Sequence, residues 1–497
     1  MFKRSLAVVS VLVAISLVAG SVFAASTTKA LSTNFTLVNL SDQPADVLVD
    51  YLLTDGTAWP NVLAGNKSFT LAADGGMKQI RQYADTMDAG AGSAVVSSSQ
   101  QLGAIVQIQA RNQIATLGSY KGATEGKTSF YAPLLARRGS SLSGLANAQI
   151  IIQNAGTGPV DVDVNFLPNP KADGTAYTKT ITGIPQGASF YYDLEEDATI
   201  KENWFGSGVI SVASTTPTGK IVVVVNVFFG TNGLQTYNAF SSDQVDDEWI
   251  VPLFTSRLTN GLSTVVSIQN LSGGEIAAGE LSLTCVNASG DNLFPAALTN
   301  AVAIANNGKY DFNPVSDVAR FPANVQGACK VSTPGKNFVA FVQMRYVNVL
   351  PNESTAAYEA VPAGTASTEF FVPLVAKHLP NGFATVVNIA NLANADNTVH
   401  IEYVPSPTEC PVALCDKNSD GVVNALDTLS PADPTIGPYG GNQRNHRFNQ
   451  ESILPDGWSG SMKVTSVTGL PISGIVQLTY YTALPGDTYM GHGVFGQ

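Results

Sequence analysis

The chain is poor in charge. Only 13% of its 497 residues are charged, although the apolar share is an ordinary 44%. Acidic residues exceed basic ones by 38 to 26, giving a net charge of −12, and no stretch is rich in Lys or Arg. Nucleic acids and anionic lipids are bound through clustered positive charge, so neither is expected as a partner. Disordered chains combine high charge with few apolar residues, so this composition predicts a folded protein.

Residues suited to catalysis are also scarce. The four histidines show no zinc-ligand spacing, and His446, the one in a basic context, is expected in an exposed turn. Gly-x-Ser-x-Gly, His-Glu-x-x-His, a P-loop and a dinucleotide fingerprint are all missing from the sequence. Acidic clusters at 193–197 and 246–248 are contiguous along the chain, whereas glycoside cleavage needs two carboxylates about 5–10 Å apart across a groove. We predict that the protein is not an enzyme.

Long apolar runs are absent except near the N-terminus. Lys3 and Arg4 precede an apolar run over 6–18, and Val22-Phe23-Ala24 supplies the small residues that signal peptidase requires. We therefore predict a signal peptide over residues 1–25, cleaved after Ala24 or Ala25; the alternative is an uncleaved membrane anchor. No later stretch reaches ~18 apolar residues, so the mature chain is predicted to have no transmembrane segment and to be secreted or held at the cell surface.

Four short sequence signals recur in the same order along the rest of the chain. Apolar segments end at Asn39, Asn154, Asn270 and Asn391. A second kind of recurring segment, a predicted strand, begins with a glycine at Gly92, Gly206, Gly327 and Gly460. An amide lies inside an apolar segment at Gln107, Asn226, Gln343 and Gln477, and an x-Pro-Leu segment surrounds Pro133, Pro252 and Pro373. Self-similarity at a nearly fixed period indicates a tandem array.

Each repeat has the pattern of β-structure. Runs rich in Val, Ile and Thr alternate with turn residues, and no segment after the leader shows a sustained helical period. A repeat of about 115 residues fits a two-layer sandwich. We predict an all-β chain of four tandem immunoglobulin-like β-sandwiches over residues 26–127, 128–245, 246–366 and 367–497. The Pro-Leu segments are expected to open each new repeat, because proline is tolerated at a strand start or on an edge, and the brief connections predict a semi-rigid rod or arc.

This organisation resembles the tandem immunoglobulin-like repeats of bacterial surface and secreted proteins, in which strand-ending and strand-opening signals recur from unit to unit. The resemblance covers nearly all of the mature chain. Sandwiches of this kind serve as adhesins, spacers, enzyme appendages and filament subunits alike, so the resemblance implies the fold and does not select one of these roles. The alternative to a structural or adhesive role is an extracellular carbohydrate-binding protein whose glycan site uses exposed aromatic side chains, for which the candidates are Trp59, Trp204, Trp249 and Trp458.

Four cysteines in an exported chain predict disulfides, for which three pairings exist. Cys285 and Cys329 each alternate with apolar residues, which places both in the core of the third repeat, on strands expected in opposite sheets. We predict a Cys285–Cys329 disulfide; the alternative is a pair of buried thiols. Cys410 and Cys415 then remain to close a small loop.

The most specific motif follows Cys415. Calcium takes six to eight oxygen ligands, which a twelve-residue loop supplies from positions 1, 3, 5, 7, 9 and 12. Here those positions hold Asp416, Asn418, Asp420, Val422 (through its carbonyl), Asn424 and Asp427. The loop is similar to the calcium loop of type I dockerins, in which Asp closes the site, although only one copy is present. We predict a Ca²⁺ site within an insertion over 408–450; the alternative is a solvated acidic turn.

Two features predict self-association or contact with other cell-surface components. The segment 221–229 is apolar at both alternating sets of positions, so its outer face needs cover from a neighbouring repeat, a loop or another molecule. The first repeat has no Pro-Leu segment, only Ser26–Leu31 in its place, and an incomplete sheet edge accepts a strand from another chain. We predict a non-catalytic structural or adhesive surface protein, stiffened by calcium and disulfides, that assembles head to tail into a filament or surface layer.

Overall fold

The computed structural model describes residues 31–110, 116–141, 144–168, 175–346, 354–365, 367–448, 451–480 and 489–496, and the backbone of 13–19. These residues form antiparallel sheets with only short helical turns between them, and the all-β prediction is confirmed. Within these ranges, no helix is long and apolar enough to cross a membrane.

The strands fall into four successive groups, which we call units 1 to 4. Unit 1 contains β1 (Val13–Ala19), β2 (Leu31–Asn39), β3 (Ala45–Leu53), α1 (Ala64–Lys67), β4 (Ser68–Leu71), β5 (Met77–Arg81), a 3-10 turn (Gln82–Ala84), β6 (Gly90–Ser98), β7 (Leu102–Ala110) and β8 (Leu117–Lys121). Unit 2 contains β9 (Ser129–Arg137), β10 (Gly139–Ser141), β11 (Gly144–Asn154), β12 (Val160–Pro168), β13 (Tyr177–Ile184), β14 (Ser189–Asp193), β15 (Trp204–Val212), β16 (Ile221–Phe229), β17 (Gly233–Asn238) and β18 (Phe240–Ser241).

Units 3 and 4 repeat the same succession. Unit 3 contains β19 (Glu248–Ser256), β20 (Leu262–Asn270), β21 (Ser282–Val286), β22 (Leu298–Thr299), β23 (Lys309–Phe312), β24 (Val325–Ser332), β25 (Phe338–Tyr346), β26 (Thr355–Glu359), β27 (Val361–Pro362) and a 3-10 turn (Ala363–Thr365). Unit 4 contains β28 (Glu369–Lys377), β29 (Phe383–Asn391), β30 (Asn397–Pro405), α2 (Val412–Cys415), a 3-10 turn (Ala425–Asp427), β31 (Thr435–Ile436), β32 (Gly441–Asn445), β33 (Trp458–Ser466), β34 (Ile472–Tyr480), β35 (Tyr489–Gly493) and β36 (Phe495–Gly496).

Each unit is a two-layer sandwich with the same strand order. In unit 1 the sheets run β1-β6-β3-β4 and β5-β2-β7-β8, and equivalent strands take equivalent places in the other units. The first two long strands of a unit, such as β9 and β11, lie in opposite sheets. In the immunoglobulin order the first two strands share a sheet, so the sandwich class is as predicted while the pairing within it differs.

The recurring glycine lies where two backbones approach too closely for a side chain. A Cβ atom on Gly206 would lie 2.0 Å from the carbonyl oxygen of Leu167 and 2.6 Å from the Trp204 ring. Gly92 and Gly460 show the same approach to a neighbouring strand carbonyl and to Trp59 and Trp458. The glycine repeat therefore records a packing constraint between β6, β15, β24 and β33 and the strands beside them.

The recurring asparagine fixes the turn after the second long strand of each unit. The Asn154 side chain donates to the carbonyls of Gly158 and Ile184, each at 2.8 Å, and accepts from the Gly156 N–H at 2.8 Å. Asn39, Asn270 and Asn391 make the same three types of bond, and all four are buried. A buried amide with all its groups bonded pins the turn geometry, which explains why the signal persists through the repeats.

The Pro-Leu segments lie in the first strand of units 2, 3 and 4, as expected, although they lie inside that strand and not at its start. Pro133, Pro252 and Pro373 lie in the middle of β9, β19 and β28, at a shift in strand register. Such a bulge leaves one residue out of the ladder, so a proline without an N–H is tolerated there. In unit 2 the Tyr237 hydroxyl bonds the backbone freed by the bulge, donating to the Leu134 carbonyl at 2.7 Å and accepting from its N–H at 3.2 Å.

The four units close into a ring, and the prediction of a rod or arc is wrong. The last long strand of each unit, β8, β17, β26 and β35, contacts its counterpart in the next unit, and β35 of unit 4 contacts β8 of unit 1. We call these four the axial strands. A buried hydrogen bond from the Ser119 hydroxyl to the Gly491 carbonyl, 2.9 Å long, joins units 1 and 4 at the axis.

A second contact between units repeats around the ring. The serine after the recurring glycine donates its hydroxyl hydrogen to a turn carbonyl of the next unit. Ser93 donates to Gly187 (2.5 Å), Ser207 to Asn307 (2.8 Å) and Ser461 of unit 4 to Gly75 of unit 1 (2.9 Å). Unit 3 has Ala328 at this place. Because unit 4 meets unit 1 of the same chain, the end faces of the array cover each other within one molecule.

The apolar outer face of β16 is covered by a neighbouring unit. Val223 and Val225 belong to the core of unit 2, whereas Val224 and Ile151 pack into the cluster that fills unit 1. The accessible surface of the chain, 18819 Å², agrees with this merging. A single compact protein of 51.9 kDa is expected to expose ~17,400 Å², whereas four separate domains of one quarter that mass are expected to expose ~25,000 Å² in total. The observed surface is closer to the first value. The units therefore share their cores.

The first strand of unit 1 comes from the predicted leader. β1 pairs with β6 from Val13–Val96 to Ala19–Gly90, the place that β9, β19 and β28 take in the other units. We had expected Ser26–Leu31 to stand in for the missing strand. Instead β1 fills it, lying over β2 of unit 1 and touching β11 of unit 2.

The glycine constraint predicts a large stability difference between two Gly→Ala changes in unit 2. Gly206→Ala is expected to destabilise the protein by roughly 1–3 kcal/mol, because its Cβ would meet a backbone carbonyl that has little room to move. Gly158→Ala is the matched control, since nothing lies within 4 Å of its Cβ position, and a change within about 0.5 kcal/mol is expected. Thermal unfolding followed by circular dichroism measures both, and equal midpoints would contradict the packing argument.

Candidate functional sites

Both cysteine pairs lie at bonding distance. Cys285 and Cys329 form one disulfide and Cys410 and Cys415 the other, as predicted. The expectation that Cys285 and Cys329 belong to opposite sheets is wrong, since they are cross-strand neighbours on β21 and β24 of one sheet. Alternation shows which face a cysteine takes, but both sheets of a sandwich present an inner face, so it cannot assign the sheet.

The acidic loop of unit 4 is held by its own side-chain oxygens. The Asp416 carboxylate accepts from the N–H groups of Gly421 (2.8 Å) and Asp420 (3.2 Å). Asp427, almost fully buried, accepts from those of Lys417 (2.7 Å), Asn418 (3.1 Å) and Asn424 (3.0 Å). Burial acts to raise the pKa of Asp427, but these three backbone donors outweigh it and hold the pKa below its usual range.

The donor set of this loop is chemically right for Ca²⁺, because its carboxylate, amide and carbonyl groups all offer oxygen. Asp416, Asn418 and Asp420 lie together, with Asn418 donating to Asp420 at 3.1 Å, and the Asn424 side chain reaches the Val422 carbonyl at 3.3 Å. The Asp427 carboxylate reaches the same part of the loop by accepting from the N–H groups of Lys417 and Asn418. Among the described residues, no three His, Cys, Asp or Glu side chains are gathered closely enough to hold a metal. The calcium site stays a prediction.

Two of the histidines are core residues. His446 is fully buried, not exposed in a turn as predicted, and bonds Thr385 (3.1 Å) and the Tyr403 hydroxyl (3.1 Å). His492 is buried on axial strand β35, at the register position that Tyr120, Tyr237 and Tyr358 take on the other axial strands. Burial lowers the pKa of His446 to about 3 and that of His492 to about 4, so both are neutral near pH 7.

The acidic clusters shape their own loops. Asp197 accepts hydrogen bonds from the Tyr192 hydroxyl (2.6 Å) and the Thr199 N–H (3.0 Å). Asp246 accepts from the N–H of Asp247 (2.7 Å) and, across the unit, from that of Gly364 (3.1 Å). Such bonds stabilise turns, and they leave the carboxylates engaged rather than opposed across a groove.

The four tryptophans do not form a sugar-binding surface. Trp59, Trp204, Trp249 and Trp458 are at most 2% exposed. Three of them lie beneath the recurring glycine of their unit, where they fill the core. Any carbohydrate site must therefore use other aromatic side chains.

A cleft of about 360 Å³ lies between units 1 and 4. Its unit 1 wall is the outer face of the sheet β5-β2-β7, where Arg81, Asn34 and Gln107 lie side by side in register and Gln79 lies two residues from Arg81 on β5. The Arg81 guanidinium donates to Gln79 (2.6 Å), which donates to Gln107 (3.2 Å). The wall is therefore a hydrogen-bonded row of amides with an arginine at one end.

The opposite wall of the cleft belongs to unit 4. The rings of Phe383 and Tyr480, cross-strand neighbours on β29 and β34, stack with centroids 4.2 Å apart. Burial raises the pKa of Tyr480 to about 12, with a contribution from Tyr83 of unit 1. Glu409, from the predicted insertion 408–450, bonds Arg81 across the cleft at 2.5 Å. The cleft is thus made by both units and by the insertion.

Sequence reasoning missed this cleft, although one signal pointed to it. The repeat pattern places an amide inside an apolar strand at Gln107. On β2, the polar residues Ser32, Asn34 and Thr36 occupy every second position, a pattern that no other unit repeats in full. What the sequence did not reveal is that unit 4 faces this polar surface, because that depends on ring closure.

No family model matches the chain, and no curated protein matches it. Among solved structures, the full-length RrgB pilus protein from Streptococcus pneumoniae matches at 9% identity over 98% of this chain and 93% of that one, with a TM-score of 0.10. A tetra-tandem repeat in the extending region of a large adhesion protein matches at 10% identity over 96% of this chain and 97% of that one, at the same TM-score of 0.10. Likeness at this level carries no argument, so function is argued from the chain itself.

The buried histidines predict acid lability. A histidine whose pKa is depressed on folding stabilises the protein above its unfolded pKa of about 6.5, and this stability is lost as pH falls towards the folded value. The thermal midpoint is therefore expected to fall between pH 6.5 and 4, and His492→Tyr, which copies units 1 to 3, is expected to reduce that fall. Leu48→Ala, a change at an exposed residue that does not titrate, is the control and should leave the profile unchanged. Superimposable profiles of wild type and His492→Tyr would contradict this role.

The calcium prediction is tested on the full chain by titration calorimetry. Wild type is expected to bind Ca²⁺, and Asp416→Ala combined with Asp420→Ala is expected to abolish the binding heat, because the double variant removes two of the carboxylate ligands. Asp396→Ala removes an exposed carboxylate elsewhere in unit 4 and should keep the heat. Equal heats from wild type and the double variant would end the idea of a site in this loop.

Proposed function

We propose that the protein is an exported, non-catalytic structural or adhesive protein of the cell surface that joins other chains through one sheet edge of unit 1. The observation that carries this proposal is the place of β1. The strand that completes the first sheet of unit 1 belongs to the segment expected to be removed on export, whereas β9, β19 and β28 belong to their own units.

Removal of β1 would leave a specific acceptor site. Cleavage after Ala24 or Ala25 takes away the partner of Gly90–Val96, so seven residues of β6 lose a paired strand. Bare strand edges present unpaired N–H and C=O groups, which pair readily with an added strand. The apolar interior beneath is substantial, since Ala94, Val96 and Val106 are each at most 1% exposed. Exposing such side chains is unfavourable, which favours a replacement strand.

Ring closure strengthens this assignment. Units 1 and 4 of the same chain already occupy each other's faces through Ser461, Gly75, Ser119 and Gly491. Head-to-tail stacking of chains through those faces is therefore unavailable. Association through the β6 edge leaves the ring intact, so each ring enters the assembly as a rigid unit. The two disulfides and, in this proposal, a Ca²⁺ ion in unit 4 stiffen the ring.

The proposal is tested with a chain that starts at Ser26. This chain is expected to form oligomers in sedimentation velocity, or to bind a labelled peptide of residues 13–19 in fluorescence anisotropy, because either would refill the edge of β6. A control peptide with Ile15→Pro and Leu17→Pro should not bind, since proline removes ladder N–H groups.

Two results would contradict the proposal. One is a monodisperse monomer that does not bind the peptide. The other is an intact mass showing that the exported protein retains residues 1–25, because β1 would then stay in place.

A further inference from the structure

The cleft between units 1 and 4 contains a buried acceptor with no partner. Asn34 is 5% exposed and lines the cleft, and its side-chain oxygen makes no hydrogen bond within the part of the chain that the structure describes. A buried acceptor left unpaired is unfavourable by about 1–3 kcal/mol, so native proteins usually supply a partner. At the wall of an open cleft, that partner is expected to be water or a ligand donor.

The polar wall offers both donors and acceptors. Gln79 and Gln107 are joined through one amide hydrogen bond, which engages one N–H of Gln79 and the oxygen of Gln107. An amide carries two N–H donors and an oxygen with two lone pairs, so both side chains retain further capacity. Groups that donate and accept in about equal number are matched by hydroxyl groups, which do the same.

The charges in the cleft cancel. Arg81 and Glu409 form the one ion pair among its lining residues, with side chains 35% and 21% exposed. Each charge is satisfied by the other, so neither a cationic nor an anionic ligand is selected by an unpaired charge. The pair still offers hydrogen-bonding groups at the cleft mouth.

The aromatic wall supplies an apolar face beside these polar groups. Phe383 and Tyr480 are half-buried, and Tyr83 at the rim is 40% exposed. Aromatic side chains with one apolar face and a polar tip suit ligands that are themselves apolar on one face and polar at the edge. A volume of about 360 Å³ lies in the range of small-ligand sites, which are about 300–1,000 Å³.

We propose that this cleft binds a neutral carbohydrate, with the sugar face against Phe383 and Tyr480 and its hydroxyl groups bonded to Asn34, Gln79 and Gln107. A sugar ring has C–H groups on its face and hydroxyl groups at its edge, which is the division between the two walls. A peptide segment is the competing ligand, and the peptide competitors in the test distinguish it. The inference goes beyond the proposed function, since it concerns a different surface from the β6 edge.

The test uses the full chain and a glycan array of neutral oligosaccharides built from glucose, mannose, xylose and N-acetylglucosamine, with uronic-acid oligosaccharides and peptides as competitors. At least one neutral glycan is expected to bind, and titration calorimetry then gives its Kd. Tyr480→Ala is expected to weaken binding about tenfold or more, which corresponds to about 1.4 kcal/mol. Phe448→Ala is the matched control, because Phe448 is a 62% exposed aromatic of unit 4 outside the cleft, and its Kd should equal that of wild type.

A second variant guards against misfolding of Tyr480→Ala. Gln79→Leu nearly keeps side-chain size at a half-buried position and removes one of the amides assigned to the sugar hydroxyl groups, so it is also expected to weaken the neutral glycan about tenfold. The inference is overturned if no neutral glycan binds, if only uronic-acid glycans or peptides bind, or if binding survives in both cleft variants. None of these results bears on association through the β6 edge, which is measured with peptide 13–19.

Discussion

The structure depends on one constraint: a sheet that is apolar on both faces must be covered on both. One face of each sheet is covered by the other sheet of the same unit. In units 2 to 4, the other face of the sheet that contains the axial strand is covered by the preceding unit. Covering these faces places each unit against the one before it, and the ring closes where unit 4 meets unit 1. The pattern in β16, apolar at every position but one, is therefore the signature of a strand between two cores.

The same constraint explains which signals persist through the repeats. The glycine allows two backbones to approach, and the serine after it bonds the next unit, so Gly92-Ser93, Gly206-Ser207 and Gly460-Ser461 serve packing within a unit and contact between units together. The asparagine acts only within its unit. The glycine that packing within a unit requires and the serine that contacts the next unit are thus adjacent in sequence. This explains why the short Gly-Ser motif recurs in units whose sequences otherwise differ.

Much of the fold was predictable from the sequence because it is encoded locally. Strand periodicity and the four recurring signals gave four β-sandwiches, and alternation placed Cys285 in a core. Ring closure was not predictable, since it rests on contacts such as Ser461 with Gly75, nearly the whole chain apart. His446 was misjudged for the same reason: its neighbours Arg444 and Arg447 suggest exposure, yet tertiary packing against Tyr403 buries it.

The candidate carbohydrate site arises where the repeat is broken. At the junction of units 1 and 2, Ile151 and Tyr191 of unit 2 pack against the unit 1 core. At the junction of units 4 and 1, the equivalent register positions are Thr36 and Gln79, which are polar and cannot fill the space with apolar contact. The cleft lies at this polar junction. The sequence alone is least informative here, because two distant units must be placed together first.

The insertion in unit 4 connects the calcium loop predicted from the sequence with the cleft between units 1 and 4 seen in the structure. Glu409 reaches Arg81 at the cleft, and the next residue, Cys410, is bonded to Cys415 at the start of the acidic loop. A loop tethered at Cys410 loses much of the conformational freedom that would otherwise oppose placing Glu409 across the cleft. An ordered acidic loop, held by its own hydrogen bonds or by a bound cation, therefore favours a cleft wall that is formed before the ligand binds. The binding free energy of the ligand is then not reduced by the entropy cost of fixing Glu409.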